Sequence, residues 1–217
     1  MSERLLSGMA EDQPTPMNAL VEKRVLMLLF EGYEDAEAAC LLDILGWTKY
    51  RPSIATVNTR VAGLHDVVHG AFGTRIAVDL RISEVDPSRF DALVIPGGFH
   101  NFGYDEAYDE AVYKVIRAFR SQALPIATFC VGVLPVARAG ALDGGLATTY
   151  ALSSRHDNKG VLRERGCKVA SEAVVEWDGI ISCSGPVYAE RVCETLLEKL
   201  VGPDAVAEVK RYRNGCA

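Results

Sequence analysis

Cys130 closes a short apolar run, Leu124 to Phe129, and is followed two places on by Gly132 and then by an Ala-rich helical pattern from Val133 to Ala141. A strand that turns sharply into a helix holds the turn residue's side chain above the sheet edge, the layout of a nucleophile elbow. A cysteine there faces unpaired N–H groups and the positive end of the helix dipole, which favour its thiolate. In such surroundings cysteine pKa falls from about 8.5 to roughly 3.5–7.5, and the thiolate is the nucleophile. The spacing therefore predicts a reactive cysteine, the most acidic of the six. The competing reading is an inert cysteine on a packed strand, since free cysteine is among the most buried residue types.

An elbow needs a sheet behind it, and the chain supplies one. Arg24–Phe30 is a continuous apolar run bounded by charges, the pattern of a strand buried on both faces. A helix is predicted over Glu34–Leu45, with acids in its first turn where they suit the dipole. Strands are predicted at Ser53–Asn58 and Phe90–Ile95, with a hairpin at Val67–Asp79 around Phe72-Gly73-Thr74. Asp105–Ser121 is amphipathic, Ala111, Val115, Ala118 and Phe119 sharing one face. Beyond the elbow come a short extended piece at Leu146–Tyr150 and a polar helix at Ser154–Gly166. Strands follow near Val169–Ala170, Ala173–Trp177 and Ile180–Cys183, then a long helix from Tyr188 to Val201. Such alternation implies an α/β domain with a mostly parallel sheet covered on both faces. Its ligand crevice lies beyond the C-terminal strand ends. Glu31–Glu37, Pro96-Gly97-Gly98 and Cys130 all meet that edge.

The length of 217 residues suits one domain with a sizeable core. Residues 1–23 read as a disordered extension, 24–201 as the domain and 202–217 as a charged tail, with a final helical turn or two as the alternative; Met17 is an alternative start. A net charge of −6 argues against a nucleic-acid surface, which needs clustered Lys and Arg. The apolar runs are too short to span a bilayer, and residues 1–20 lack the apolar core of a secretory signal. The six cysteines form no CxxC pair, so neither a disulfide framework nor a zinc ribbon is expected, and a reducing cytoplasm fits. No phosphate-cradling glycine motif is present. His65 and His69 flank an extended segment where a spacing of four does not converge on a metal. His100, just after Pro96-Gly97-Gly98-Phe99, is a candidate for binding or proton transfer, as is His156; the alternative for both is a surface histidine. Cys183 is expected to be packing.

Four stretches together resemble the ThiJ/PfpI superfamily of glutamine-amidotransferase-like cysteine enzymes. They are Phe30–Ala38 (FEGYEDAEA), Asp91–Gly98 (DALVIPGG), Pro125–Tyr150 with its PIATFCVG start, and the closing Val175–Asp178 and Ile180–Pro186. The likeness spans about residues 24–201. It implies a flavodoxin-like three-layer sandwich, a small-molecule substrate, no cofactor, no metal and a homodimer. Carried over by position, the nucleophile falls on Cys130 and its acidic partner on Glu37. The oxyanion donors fall on the N–H groups of Gly98 and Val131, with Gly97 letting the chain turn closely. A carboxylic acid beside sulfur can donate a hydrogen bond and hold negative charge there. Two backbone donors can stabilise the oxyanion formed when sulfur attacks a carbonyl-like carbon. Glycines at 97 and 98 are expected to supply positive φ and close approach, or simply a tight turn.

The chain departs from the family's pattern at two places. Val131 stands where protease-like members have histidine, and Tyr150 where glyoxalase and deglycase members often do. Peptidase activity is weakened most, since a leaving amine needs a proton. The expected function is a cofactor-independent cysteine enzyme, a hydrolase or a lyase of hydratase or glyoxalase type, acting on a reactive aldehyde, an isonitrile or an amide. The alternative is a non-enzymatic redox-sensing or stress-response protein using Cys130 as an oxidisable thiolate. A third reading is a regulatory ligand-binding domain, though no DNA-binding segment is visible.

Overall fold

The computed structural model describes residues 21–215. In chain order the strands are β1 (Lys23–Leu28), β2 (Val57–Gly63), β3 (Val67–His69), β4 (Arg75–Ala77), β5 (Leu80–Arg81), β6 (Ala92–Ile95), β7 (Ile126–Thr128), β8 (Leu146–Ala147), β9 (Lys168–Val169), β10 (Val174–Trp177) and β11 (Ile180–Cys183). The α-helices are α1 (Asp35–Gly46), α2 (Glu110–Ser121), α3 (Val133–Arg138), α4 (Asn158–Glu164), α5 (Ala189–Val201) and α6 (Pro203–Arg213).

Seven strands form the main sheet in the order β10-β11-β7-β6-β1-β2-β5, and every pairing is parallel except β10 with β11. Alternation along β1 divides the core. Leu26 and Leu28 join one apolar layer with Leu93, Ile126 and residues of α2 and α3. Val25 and Met27 join the other with Ala127 and residues of α1, α5 and α6. A strand buried on both faces has no polar side, which is why β1 reads as an unbroken apolar run. The fold is a flavodoxin-like α/β sandwich with helices on both faces of the sheet.

Several boundaries differ from the sequence expectation. The second strand is Val57–Gly63 rather than Ser53–Asn58: Lys23 to Leu28 pair with Val57 to Ala62, so the ladder with β1 sets the register. Asp109 caps α2 through its carboxylate on the Ala111 N–H, splitting Asp105–Ser121 into a tight turn and a helix. The polar helix shortens to Asn158–Glu164, capped by Asp157. Residues 203–213, expected as part of a charged tail, form α6 with Pro203 in its first turn. Ala205 and Val209, one turn apart, are fully buried against the α1–α5 layer, and this apolar stripe docks the helix despite its charge. Lys23, placed in the extension, opens β1. Residues 1–20 of that extension, with Met17, and Cys216 lie outside the described residues.

Candidate functional site

Cys130 leaves β7 with a positive φ of 50°, one of three such non-glycine residues among those described. That left-handed conformation costs energy for a residue with a β-carbon, so the surroundings must impose it. The Gly132 N–H bonds the Phe129 carbonyl at 2.7 Å, and the Thr149 hydroxyl donates to the Cys130 carbonyl at 3.0 Å. Gly132 also lies against β6, where any β-carbon would run into the Ile95 carbonyl oxygen. A single tight turn, Cys130–Gly132, then leads into α3, whose six residues end sooner than the expected Ala141.

Glu37 reaches the same point from α1. Its side chain is fully buried, Oε2 accepts the Gly97 N–H at 2.7 Å, and Oε1 has no hydrogen-bond partner. Burial, with the Glu34 charge adding to it against the Gly97 bond, raises its pKa to about 8, so the carboxyl is mostly neutral at pH 7. Glu34, which sequence reasoning left without a role, is buried too and caps α1 by accepting the Glu37 N–H at 2.7 Å. Burial raises its pKa as well. Glutamate is an unusual N-cap, so only its acid-rich neighbourhood hinted at it.

The glycines act through space rather than through special φ. Neither Gly97 nor Gly98 has positive φ. A β-carbon on Gly97 would stand 2.7 Å from Cys130 Cβ and 3.0 Å from Glu37 Oε2, and one on Gly98 would enter the Tyr104 ring. Tyr104 is fully buried and donates its hydroxyl to the Pro96 carbonyl at 2.5 Å, another contributor that an amphipathic pattern could not reveal. Gly98 bridges Tyr33 through its neighbours: the Glu34 N–H bonds the Gly97 carbonyl at 2.9 Å and the Phe99 N–H bonds the Gly32 carbonyl at 2.8 Å. The Gly98 N–H takes part in neither bond.

Cys130, Val131, Gly98, Glu34, His100 and Tyr150 line one cleft of about 500 Å³. His100 and His156 stack at its wall with ring centres 4.4 Å apart, and His100 Nε2 lies 3.0 Å from the Tyr108 hydroxyl. Burial and the neighbouring His156 hold the His100 pKa below its usual value, although Asp105 opposes this. His65 and His69 lie elsewhere, paired with Glu106 at 2.6 Å and with Glu31 at 3.1 Å. Cys183 is buried, its thiol directed at the Gly185 carbonyl.

One expectation reverses. Burial and the Glu37 charge push the Cys130 thiol above its ordinary value, against a lowering contribution from the Val131 N–H. The elbow offers a short helix and little solvent, so desolvation of the thiolate outweighs the dipole. The thiol held below its ordinary value is Cys40, on α1, through its hydrogen bond with Cys193 and the nearby Arg213 charge.

The chain matches a known family model, DJ-1/PfpI, over residues 23–199. The chain belongs to the DJ-1/PfpI family. It is 27% identical over 189 residues to Protein DJ-1 homolog B of Arabidopsis thaliana, an alignment covering 86% of this chain and 40% of that protein. Deglycase PfpI of Pyrococcus furiosus is 36% identical over 84 residues, 39% of this chain and 49% of that protein. The chain thus spans less than half the length of these curated relatives. Among solved structures, Drosophila melanogaster DJ-1beta superposes with a TM-score of 0.75 at 24% identity, covering 91% of this chain and 100% of that one. Toxoplasma gondii DJ-1 superposes at 0.72 with 21% identity, over 90% and 99%. These two share the fold. Among the described residues, no helix is long and apolar enough to cross a membrane.

Proposed function

We propose that this protein is a cofactor-independent cysteine enzyme acting on a small electrophile, a reactive aldehyde, an isonitrile or an amide, with Cys130 as nucleophile and Glu37 as its acid. The observation that carries this reading is the buried Glu37 carboxyl, with Oε1 unpartnered and Oε2 on Gly97, the residue wedged between Glu37 and Cys130. A neutral carboxyl whose other oxygen is occupied has one proton to donate, and the sulfur side of Gly97 is where it is useful. The raised Glu37 pKa supports this, because below about pH 8 the acid form prevails and its repulsion of a thiolate disappears. The Cys130 thiol then ionises as sulfur attacks the electrophilic carbon. Its proton passes to the substrate's oxygen or nitrogen, or through Glu37. The Gly98 and Val131 N–H groups are the donors this reading assigns to the developing oxyanion. The raised pKa of the thiol speaks for this role over spontaneous peroxide sensing at Cys130, which needs a standing thiolate.

The deglycase names of relatives at low identity and partial coverage are compatible with enzyme activity in the family. The absence of a histidine directly after Cys130 argues for hydration, glyoxalase-type or ester-like chemistry over peptide cleavage. The same reading places the protein in a reducing cytoplasm, where the five described cysteines remain free thiols. It also assigns a homodimer, which light scattering checks: a monomer mass across micromolar concentrations overturns that part alone. The enzyme reading is tested by a turnover panel of α-oxoaldehydes, isonitriles and small amides with the wild type and Cys130→Ala. Turnover lost in the variant supports it, and turnover retained overturns it.

A further inference from the structure

Cys40 and Cys193 face each other across the seam between α1 and α5, on the sheet face opposite α2 and α3. Each thiol perturbs the other's ionisation, and both pack into the apolar layer shared by α1, α5 and α6. Arg213 of α6 straddles the same seam. Its guanidinium bonds Asp43, one turn beyond Cys40, at 2.9 Å, and Glu190, one turn before Cys193, at 2.8 Å. The three helices are therefore clamped where the two sulfurs meet. Cys193 is fully buried, whereas Cys40 is only partly so, giving one thiol a solvent path and the other none. The remaining described thiols are differently placed: Cys167 and Cys183 each direct sulfur at a backbone carbonyl at 3.4 Å.

We propose that Cys40 and Cys193 are an oxidisable dithiol that a hydroperoxide converts into an intramolecular disulfide. The Cys40 sulfur attacks a peroxide oxygen, and the O–O bond breaks as the distal oxygen leaves as water or alcohol. Cys40 is left as a sulfenic acid. The Cys193 sulfur then attacks the Cys40 sulfur, the S–S bond forms, the S–O bond breaks, and the hydroxyl departs as water with the Cys193 proton. Two thiols lose two electrons and one hydroperoxide gains them. The lowered Cys40 pKa suits it to the first step, since the thiolate is the attacking form. Cys193, buried and adjacent, resolves the sulfenic acid before a second oxidation. The cross-link staples the helix that carries Glu37, one turn before Cys40, to the helix that follows β11. This pair does not depend on Cys130, so it stands or falls separately from the enzyme reading.

The test treats the reduced full chain with hydrogen peroxide, or in parallel with diamide, which makes disulfides without needing a sulfenic acid. Free thiols are then alkylated, and the protein is digested without reductant for peptide mass mapping. The expected product is a linked pair of peptides containing Cys40 and Cys193, lighter by two hydrogens than the sum. It forms equally in wild type and Cys130→Ala, and alkylatable thiols fall by two. In Cys193→Ala, Cys40 should instead stop at a sulfenic acid that dimedone traps. Recovery of Cys40 and Cys193 as alkylated thiols after peroxide, whatever diamide yields, or a disulfide joining either to another cysteine, overturns the proposal.

Discussion

Glu37 Oε2 accepts the Gly97 N–H at 2.7 Å while its Oε1, equally buried, has no partner. A carboxylate in that position would be an uncompensated buried charge, whereas a carboxylic acid has a proton for the empty side. The pKa near 8 follows from that environment, and so do consequences for stability and reactivity.

Stability should fall as pH rises. Glu37 has its folded pKa raised from 4.5 to about 8, so the native state holds a proton that the unfolded chain has released. Its contribution is fully present below about pH 4.5 and is lost progressively up to about pH 8, by a few kcal/mol in order of magnitude. Glu37→Gln removes this titration. Urea unfolding at pH 5 and pH 8 should show a smaller loss in the variant than in the wild type; equal losses contradict a buried acid.

The thiol titration should respond in the direction opposite to the one a thiolate-stabilising acid would give. Above about pH 8 the Glu37 charge raises the Cys130 pKa, so Glu37→Gln should move that thiol's ionisation downward. Thiolate absorbance, measured in a background where the other cysteines are replaced, reads it. An absent shift places the Glu37 carboxyl away from the sulfur, and an upward one shows it stabilising the thiolate as a hydrogen-bond donor rather than opposing it as a charge.

Brief alkylation at mildly acidic pH should mark Cys40 before Cys130, since hydrogen bonding with Cys193 and Arg213 lower the first and burial raises the second. Peptide mapping with first label on Cys130 would show the elbow dipole outweighing burial.

The elbow's packing can be tested with two glycines that differ in surroundings. An alanine methyl at Gly132 meets the Ile95 carbonyl and lies 3.0 Å from the Pro96 oxygen, whereas at Gly46, the last residue of α1, nothing stands within 4 Å. Gly132→Ala should cost about 1–3 kcal/mol or more, and Gly46→Ala should be neutral or stabilising by up to about 1 kcal/mol. Denaturant midpoints compare them, and a tolerant Gly132 would mean that β6 and the elbow can separate.

The sequence makes some of this legible and hides the rest for physical reasons. β1, β6 and β11 are apolar on both faces, and composition alone marks such strands. Cys130 emerges from its local pattern, an apolar run turning into a helix, whereas Glu37 and Gly98 are singled out only through the family resemblance. The placement of β2 is not local, since its ladder with β1 sets it. α6 looks like solvated charge because two small apolar residues, Ala205 and Val209, suffice to dock it. Glu34 is hard to see because glutamate is an unusual N-cap, and Tyr104 because its hydroxyl meets the Pro96 carbonyl only once its loop folds back on the end of β6. The direction of the Cys130 pKa depends on burial, which spacing does not report. The pairing of Cys40 with Cys193 joins residues from two helices at opposite ends of the chain.

The central claim is that a substrate carbon becomes bonded to Cys130 sulfur. It is tested most directly by quenching the protein during turnover of whichever panel electrophile it consumes, then locating the adduct by peptide mass mapping. The account predicts an added mass equal to the substrate, or to its acyl part, on Cys130, absent from Cys130→Ala and longer-lived in Glu37→Gln. Steady turnover with Cys130 unmodified, or an adduct on Cys40 that turns over while Cys130→Ala remains active, would contradict it.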